Sequence, residues 1–129
     1  MQACRRCWCV ALLLAAGCGQ RLEVEKNVAL DPGSVSPAAL IDAPKYEQKI
    51  KVEFTSSESP INVFVVLGKD ENAVMDELSK ANPKVEIRGK AEKSKGESFD
   101  ATIPAGKDYG VYLSGAAKKT QVTLKIKSQ

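Results

Sequence analysis

The chain has 129 residues, of which 43% are apolar, 27% charged and 5% aromatic, ordinary values for one soluble globular domain. It has no histidine, which excludes the usual catalytic triads, most metal-hydrolase sites and an imidazole switch near neutral pH. The formal charge is +3 and there are four cysteines, so at first reading the protein is mildly basic and rich in thiols.

Met1 to Cys18 reads MQACRRCWCVALLLAAGC. Arg5 and Arg6 form a positive start, Cys7 to Ala16 an apolar run of ten residues, and small residues follow at Ala15, Ala16 and Gly17. That is the layout of a secretory signal peptide. As a helix the run rises only about 15 Å, half the thickness of a hydrocarbon core, so it is too short for a lasting membrane span. Leu14-Ala15-Ala16-Gly17-Cys18 resembles a bacterial lipobox, with Ala15 standing where that family more often has leucine. The resemblance implies that the Cys18 thiol carries a diacylglycerol and that residues 1–17 are cut away. With Gly19 rather than aspartate after the cysteine, it also implies an outer-membrane address where the cell has such a membrane.

The cysteines read differently after that step. Cys4, Cys7 and Cys9 have the C-x-x-C and C-x-C spacings of metal or redox sites, but they lie in the discarded segment with no second ligand pair. The processed chain keeps one cysteine, acylated, and forms no internal disulfide. Neither a metal nor another cofactor is expected.

Residues 18–44 contain the breakers Pro32-Gly33-Ser34 and Ser36-Pro37. Leu22 and Val24 alternate with Glu23 and Glu25, enough for a short edge strand, but the simpler expectation is a tether. About 26 flexible residues reach roughly 25–30 Å. From residue 45 onward the pattern turns to strands. Lys49 to Phe54 alternates polar and apolar residues, and Ile61-Asn62-Val63-Phe64-Val65-Val66-Leu67 reads as a central strand covered on both faces. Glu71 to Ala81 is rich in helix formers, with Val74, Leu78 and Ala81 on one face, Asp70 or Asn72 as cap and Asn82-Pro83 as stop. A three-turn helix packed over Phe64 and Val66 is expected. Val85 to Ile87 is a weaker strand, and Lys90 to Glu97 an exposed charged loop or hairpin tip. Phe99–Ile103, Tyr109–Leu113 and Val122–Lys127 alternate again between Gly/Pro turns.

The fold class that follows is mainly β: an antiparallel sandwich of about 6–8 strands over residues 45–129, with one helical insert near 71–81. Its core candidates are Ile50, Val52, Phe54, Val63, Val65, Leu67, Leu78, Phe99, Ile103, Val111, Leu113, Val122, Leu124 and Ile126. The order of apolar strand, short helix, Ser98-Phe99, Ile103-Pro104-Ala105-Gly106 and Tyr109-x-Val111-x-Leu113 resembles small secreted bacterial sandwiches of the pre-peptidase C-terminal and GOLD-like types. That resemblance implies an accessory or binding module and no functional residue in particular.

Candidates for chemistry are few. Ser94 beside Lys93 and Lys95, and Ser79 beside Lys80, lack the facing geometry of a nucleophile and base. Asp70, Glu71, Asp76 and Glu77 do not fit a calcium loop and read as a solvated helix face. Charge is the feature to keep: residues 18–44 and 45–83 each carry −2, and residues 84–129 carry +5. Lys90, Lys93, Lys95, Lys118, Lys119, Lys125 and Lys127 are candidate contacts to an anionic membrane or wall polymer if they share a face. The competing role for the same lysines is to blunt strand edges. Nucleic acid is not an expected partner, given the compartment and few aromatics. The sequence therefore points to a lipid-anchored envelope protein that acts as a non-enzymatic binding or structural module and meets an envelope protein or polymer. The alternatives are a module that binds anionic membrane or wall polymer through the basic C-terminal half, and an enzyme.

Overall fold

The computed structural model describes residues 22–68, 70–80 and 83–129. The lipobox, and Ala81 and Asn82 at the expected end of the helix, lie outside them. Eight strands and one helix follow in order: β1 (Glu23–Leu30), β2 (Ser36–Ile41), β3 (Gln48–Ser56), β4 (Ile61–Leu67), α1 (Glu71–Leu78), β5 (Ile87–Ser94), β6 (Gly96–Ile103), β7 (Tyr109–Ser114) and β8 (Thr120–Ser128). They form two four-stranded antiparallel sheets, ordered β1-β8-β3-β6 and β2-β7-β4-β5.

Every connection except the one through α1 carries the chain from one sheet to the other. The inward faces make one core. Ile50, Val52 and Phe54 of β3 and Val122, Leu124 and Ile126 of β8 meet Val63 and Val65 of β4 and Val111 and Leu113 of β7. The alternation read in the sequence is the pleat that aims these side chains inward. Of the expected core, Leu67 and Phe99 are only partly buried and pack at its margin.

The α1 connection stays within one sheet and covers its outer face. Val74 and Leu78 pack on Phe64, Val66 and Tyr112, a second and smaller apolar cluster. This is why β4 is apolar on both sides. Asp70 caps the helix, its Oδ1 accepting from the Ala73 N–H at 3.1 Å. The helix ends at Leu78, earlier than expected, because the last turn tightens. The Lys80 N–H bonds to the Glu77 carbonyl at 3.0 Å and Ser79 Oγ donates to the Asp76 carbonyl at 2.6 Å.

Two expectations are corrected. Residues 18–44 are not a tether from end to end, since β1 and β2 lie within them and the sandwich begins near residue 22. β1 pairs with β8 from Glu23↔Lys127 to Leu30↔Thr120, and Leu30 is fully buried. Pro32-Gly33-Ser34 falls in the turn between the two strands, and Ser36-Pro37 opens β2. Pro37 is accommodated because β2 is a bulged edge strand, where a missing N–H costs least. Of the loop or hairpin tip expected at Lys90 to Glu97, the loop is replaced by strand: the segment is the exposed tip where β5 passes into β6 through Lys95, while of Val85–Ile87 only Ile87 is in a strand. The strand β5 was hidden because it supplies little apolar surface of its own. Its Gly89 is filled by the Phe99 ring, which would lie 3.0 Å from a Cβ placed there.

Candidate functional site

The alternating connections gather at two ends. One end holds the β1–β2, β3–β4, β5–β6 and β7–β8 turns. A knot of hydroxyls binds them together. Ser56, Ser59 and Thr120 are buried. Ser56 Oγ donates to the Ser59 carbonyl at 2.6 Å and lies 2.6 Å from Thr120 Oγ1. Since a serine has one hydroxyl proton, Thr120 is the donor to Ser56, and its oxygen accepts from the Glu58 N–H at 2.9 Å. Ser59 Oγ accepts from the Ala117 N–H at 2.9 Å and Ser57 Oγ from the Gln121 N–H at 3.1 Å. The Ser56 N–H bonds to the Lys95 carbonyl at 2.7 Å, and the Gly33 N–H to the Ala116 carbonyl at 3.3 Å. All four turns are thus tied to one another.

Four of the seven candidate lysines project from this end: Lys93, Lys95, Lys118 and Lys119, all exposed. Lys118 Nζ stands 4.0 Å from Glu58 Oε1 with both groups largely in water, a pair of little energetic weight. Lys93 is the one non-glycine residue with positive φ among the described residues, at 53°, and its N–H bonds to Asn62 Oδ1 at 2.9 Å. The remaining three lysines are elsewhere. Lys90 is on β5, 3.5 Å from Glu92. Lys125 and Lys127 lie on the outer face of the other sheet, Lys125 in register between Glu25 and Glu53, Lys127 between Glu23 and Lys51. A single basic face of all seven is not assembled.

The acidic candidates are spent on local structure. Asp70 caps α1, and Glu77 accepts from Lys80 Nζ at 2.9 Å and from the Lys84 N–H at 2.8 Å. The Lys80 hydrogen bond, then the Lys84 N–H, holds the Glu77 carboxyl below its ordinary value, while Glu77 raises Lys80. Among the described residues no three His, Cys, Asp or Glu side chains are grouped to hold a metal ion. Ser94 Oγ accepts from the Gly96 N–H, and Ser79 is turned onto α1. No helix of the described residues is long and apolar enough to cross a membrane.

The flanks of the sandwich differ. On one, Arg88 Nε of β5 donates to the Thr102 carbonyl of β6 at 2.9 Å and closes the seam. On the other, β1 and β2 stand apart, with two adjoining shallow depressions of about 460 and 390 Å³. They share Val24, Leu40 and Ile41, with Leu22 and Pro44 at the end opposite the four lysines. Neither the hydroxyl knot nor this groove was read from the sequence. The run Thr55 to Ser59 signalled a turn, and nothing in it signalled burial.

This geometry has known counterparts in solved structures. Aeromonas hydrophila PliG, a periplasmic lysozyme inhibitor of g-type lysozyme, superposes with a TM-score of 0.58 at 12% identity, over 83% of this chain and 86% of that one. In fold, the chain is like PliG. The Yersinia pseudotuberculosis-derived mitogen gives a TM-score of 0.48 at 6% identity, over 84% and 86% of the two chains. The SPBc2 prophage-derived protein YomS gives 0.47 at 9%, over 88% and 100%. No family model matches the chain, and no curated protein matches it. At 12% identity the likeness to PliG is one of fold, and PliG's inhibition of lysozyme stays with PliG.

Proposed function

We propose that this chain is a lipid-anchored protein of the cell envelope that works by binding, without catalysis, through the lysine-bearing loop end. The observation that carries this reading is the convergence of Lys93, Lys95, Lys118 and Lys119 on turns held together by buried hydroxyls and by the backbone bond from Ser56 to Lys95. Turns already ordered lose little entropy when a partner docks, and ammonium groups favour a partner bearing carboxylate or phosphate. The hydroxyls weighed as nucleophiles, Ser79 and Ser94, bond to the Asp76 carbonyl and the Gly96 N–H rather than to a lysine base. An accessory binding role also agrees with the resemblance to pre-peptidase C-terminal and GOLD-like domains.

In this reading Cys18 is the acylated residue, residues 1–17 are removed, and Gly19 directs the protein to an outer membrane where there is one. The first described residue, Leu22, lies at the end opposite the lysines, its N–H bonded to Ser128 Oγ. A nine-residue strand separates the two ends by roughly 30 Å. The loop end therefore faces away from the membrane that holds the lipid. That orientation favours a negatively charged envelope protein or wall polymer over the headgroups of the same bilayer.

Two measurements test the reading. Fatty-acid labelling is expected in the wild type and is lost in Cys18→Ala; labelling that persists in the variant refutes the anchor. A photo-crosslinking residue at Lys95 or Lys118, in intact envelopes, is expected to capture a discrete partner that the same residue at Lys127 does not. Equal capture at all three positions refutes the loop end as the binding surface.

A further inference from the structure

The opposite end of the sandwich carries a surface of another kind. Among the described residues the exposed large hydrophobics are Leu40, 53% exposed, and Tyr46, 76% exposed. Leu40 lines the groove between β1 and β2. Tyr46 lies in the β2–β3 connection between Pro44 and Gln48, both of which line the same groove. An aliphatic groove flanked by the two large apolar side chains that the described surface leaves open offers a partner a place to bury them.

What docks there follows from the place of Cys18 in the sequence. Leu22 lines the groove, and Cys18 is four residues before it. Four residues span at most about 14 Å. A diacylglycerol on Cys18 is buried in the bilayer, so the end of the groove lined by Leu22, Leu40 and Pro44 is held near the lipid surface.

We infer that the groove and Tyr46 form a membrane-docking surface that seats the domain on the bilayer holding its own lipid; the inference rests on the acylation of Cys18 proposed above. The chemistry of the surface suits this occupant. The floor is aliphatic, and tyrosine is favoured at the level of lipid headgroups, where its ring is buried and its hydroxyl wet. The charged residues of the groove, Lys26, Asp42 and Glu71, are of both signs. Docking therefore draws on apolar burial rather than on anionic lipid, and it takes place on zwitterionic bilayers and persists in high salt. With this surface down, the four lysines of the loop end point outward.

Tryptophan fluorescence tests the inference cleanly. Trp8 is the one tryptophan of the sequence and leaves with residues 1–17. Tyr46→Trp and Leu40→Trp thus each give a processed protein with a single reporter at an already exposed position. The acylated, processed protein is reconstituted into phosphatidylcholine vesicles with bromine-labelled acyl chains. Both variants are expected to show blue-shifted emission and several-fold stronger quenching than Lys119→Trp at the loop end, in low and in 1 M salt. Equally weak quenching at all three positions, in protein shown to carry fatty acid, overturns the docking surface and leaves the anchor standing. Quenching lost in salt overturns it in favour of headgroup charge. A blue shift without lipid quenching, together with a dimer on sizing, assigns the groove to a second copy instead. Protein that carries no fatty acid overturns the acylation reading and this inference with it.

Discussion

Replacing Thr120 by valine keeps the shape of a buried side chain and deletes one hydroxyl, so its effect measures the polar knot alone. In the native protein that hydroxyl donates to Ser56 and accepts from the Glu58 N–H. Ser56 keeps its bond to the Ser59 carbonyl and loses one incoming donor. The Glu58 N–H, by contrast, is left without an acceptor at a partly buried site. A lost hydrogen bond costs about 1 kcal/mol net and an orphaned buried donor about 1–3, so Thr120→Val is expected to destabilise by roughly 2–3 kcal/mol. For a domain slightly above 100 residues this lowers Tm by roughly 8–15 °C. Urea and thermal unfolding followed by circular dichroism read both quantities. Thr123→Val is the control, because Thr123 Oγ1 bonds to Asn27 Oδ1 at 3.1 Å on the exposed face, and it is expected to change stability by less than about 0.5 kcal/mol. If Thr120→Val costs no more than Thr123→Val, the knot does not hold the turns and the case for a preorganised loop end falls with it.

Three further outcomes are expected. Tyr112 is fully buried under α1 and its hydroxyl has no hydrogen-bond partner among the described residues, so Tyr112→Phe is expected to leave stability unchanged or raise it by about 1 kcal/mol; a clear loss in urea unfolding would reveal a partner for that hydroxyl. Burial pushes the Tyr109 phenol up to about 12, against an ordinary value near 10. Between those values the folded state keeps a proton that the unfolded state releases, so this contribution is whole below pH 10 and is lost as pH rises towards 12. The wild type should therefore lose stability over that window faster than Tyr109→Phe, and parallel profiles would show that the phenol is not so perturbed. Gly110→Ala places a Cβ 2.8 Å from Tyr112 Cε1 and 2.9 Å from Leu40 Cδ2. Because the Tyr112 ring is locked under the helix, the variant is expected to lose about 1–2 kcal/mol, and a gain would mean that the ring moves freely.

The strands that the sequence revealed were those that feed the core on one face, such as Lys49 to Phe54 and Val122 to Lys127, where period-two alternation is the direct mark of a half-buried sheet. The helix was legible from its formers and from the surplus apolar face of β4. The missed strands had their apolar content supplied by others. β5 presents Gly89 and Ala91 to the interior while Phe99 of β6 fills the gap. β1 carries charge on its outer face because it meets Lys125 and Lys127 there, pairing that only the register discloses. The loop end was half legible: the lysines stood in the sequence, but which of them share an end is decided by topology. The hydroxyl knot was not legible, because Ser56, Ser59 and Thr120 look like any turn residues until 64 positions of chain are folded back between Ser56 and Thr120.

The pairing of β1 with β8 has a consequence for how the protein comes to exist. Among the described strands, the first to be made has the last as its sheet partner, and β8 also separates β1 from β3. A growing chain therefore cannot close this sheet until residues near Ser128 are free, and contacts so distant in sequence form slowly. Without Thr120–Ser128 the β1 strand has no neighbour and β3 keeps only β6, so the unfinished sheet stays open to proteases. Completion of the fold is in this way coupled to the emergence of β8.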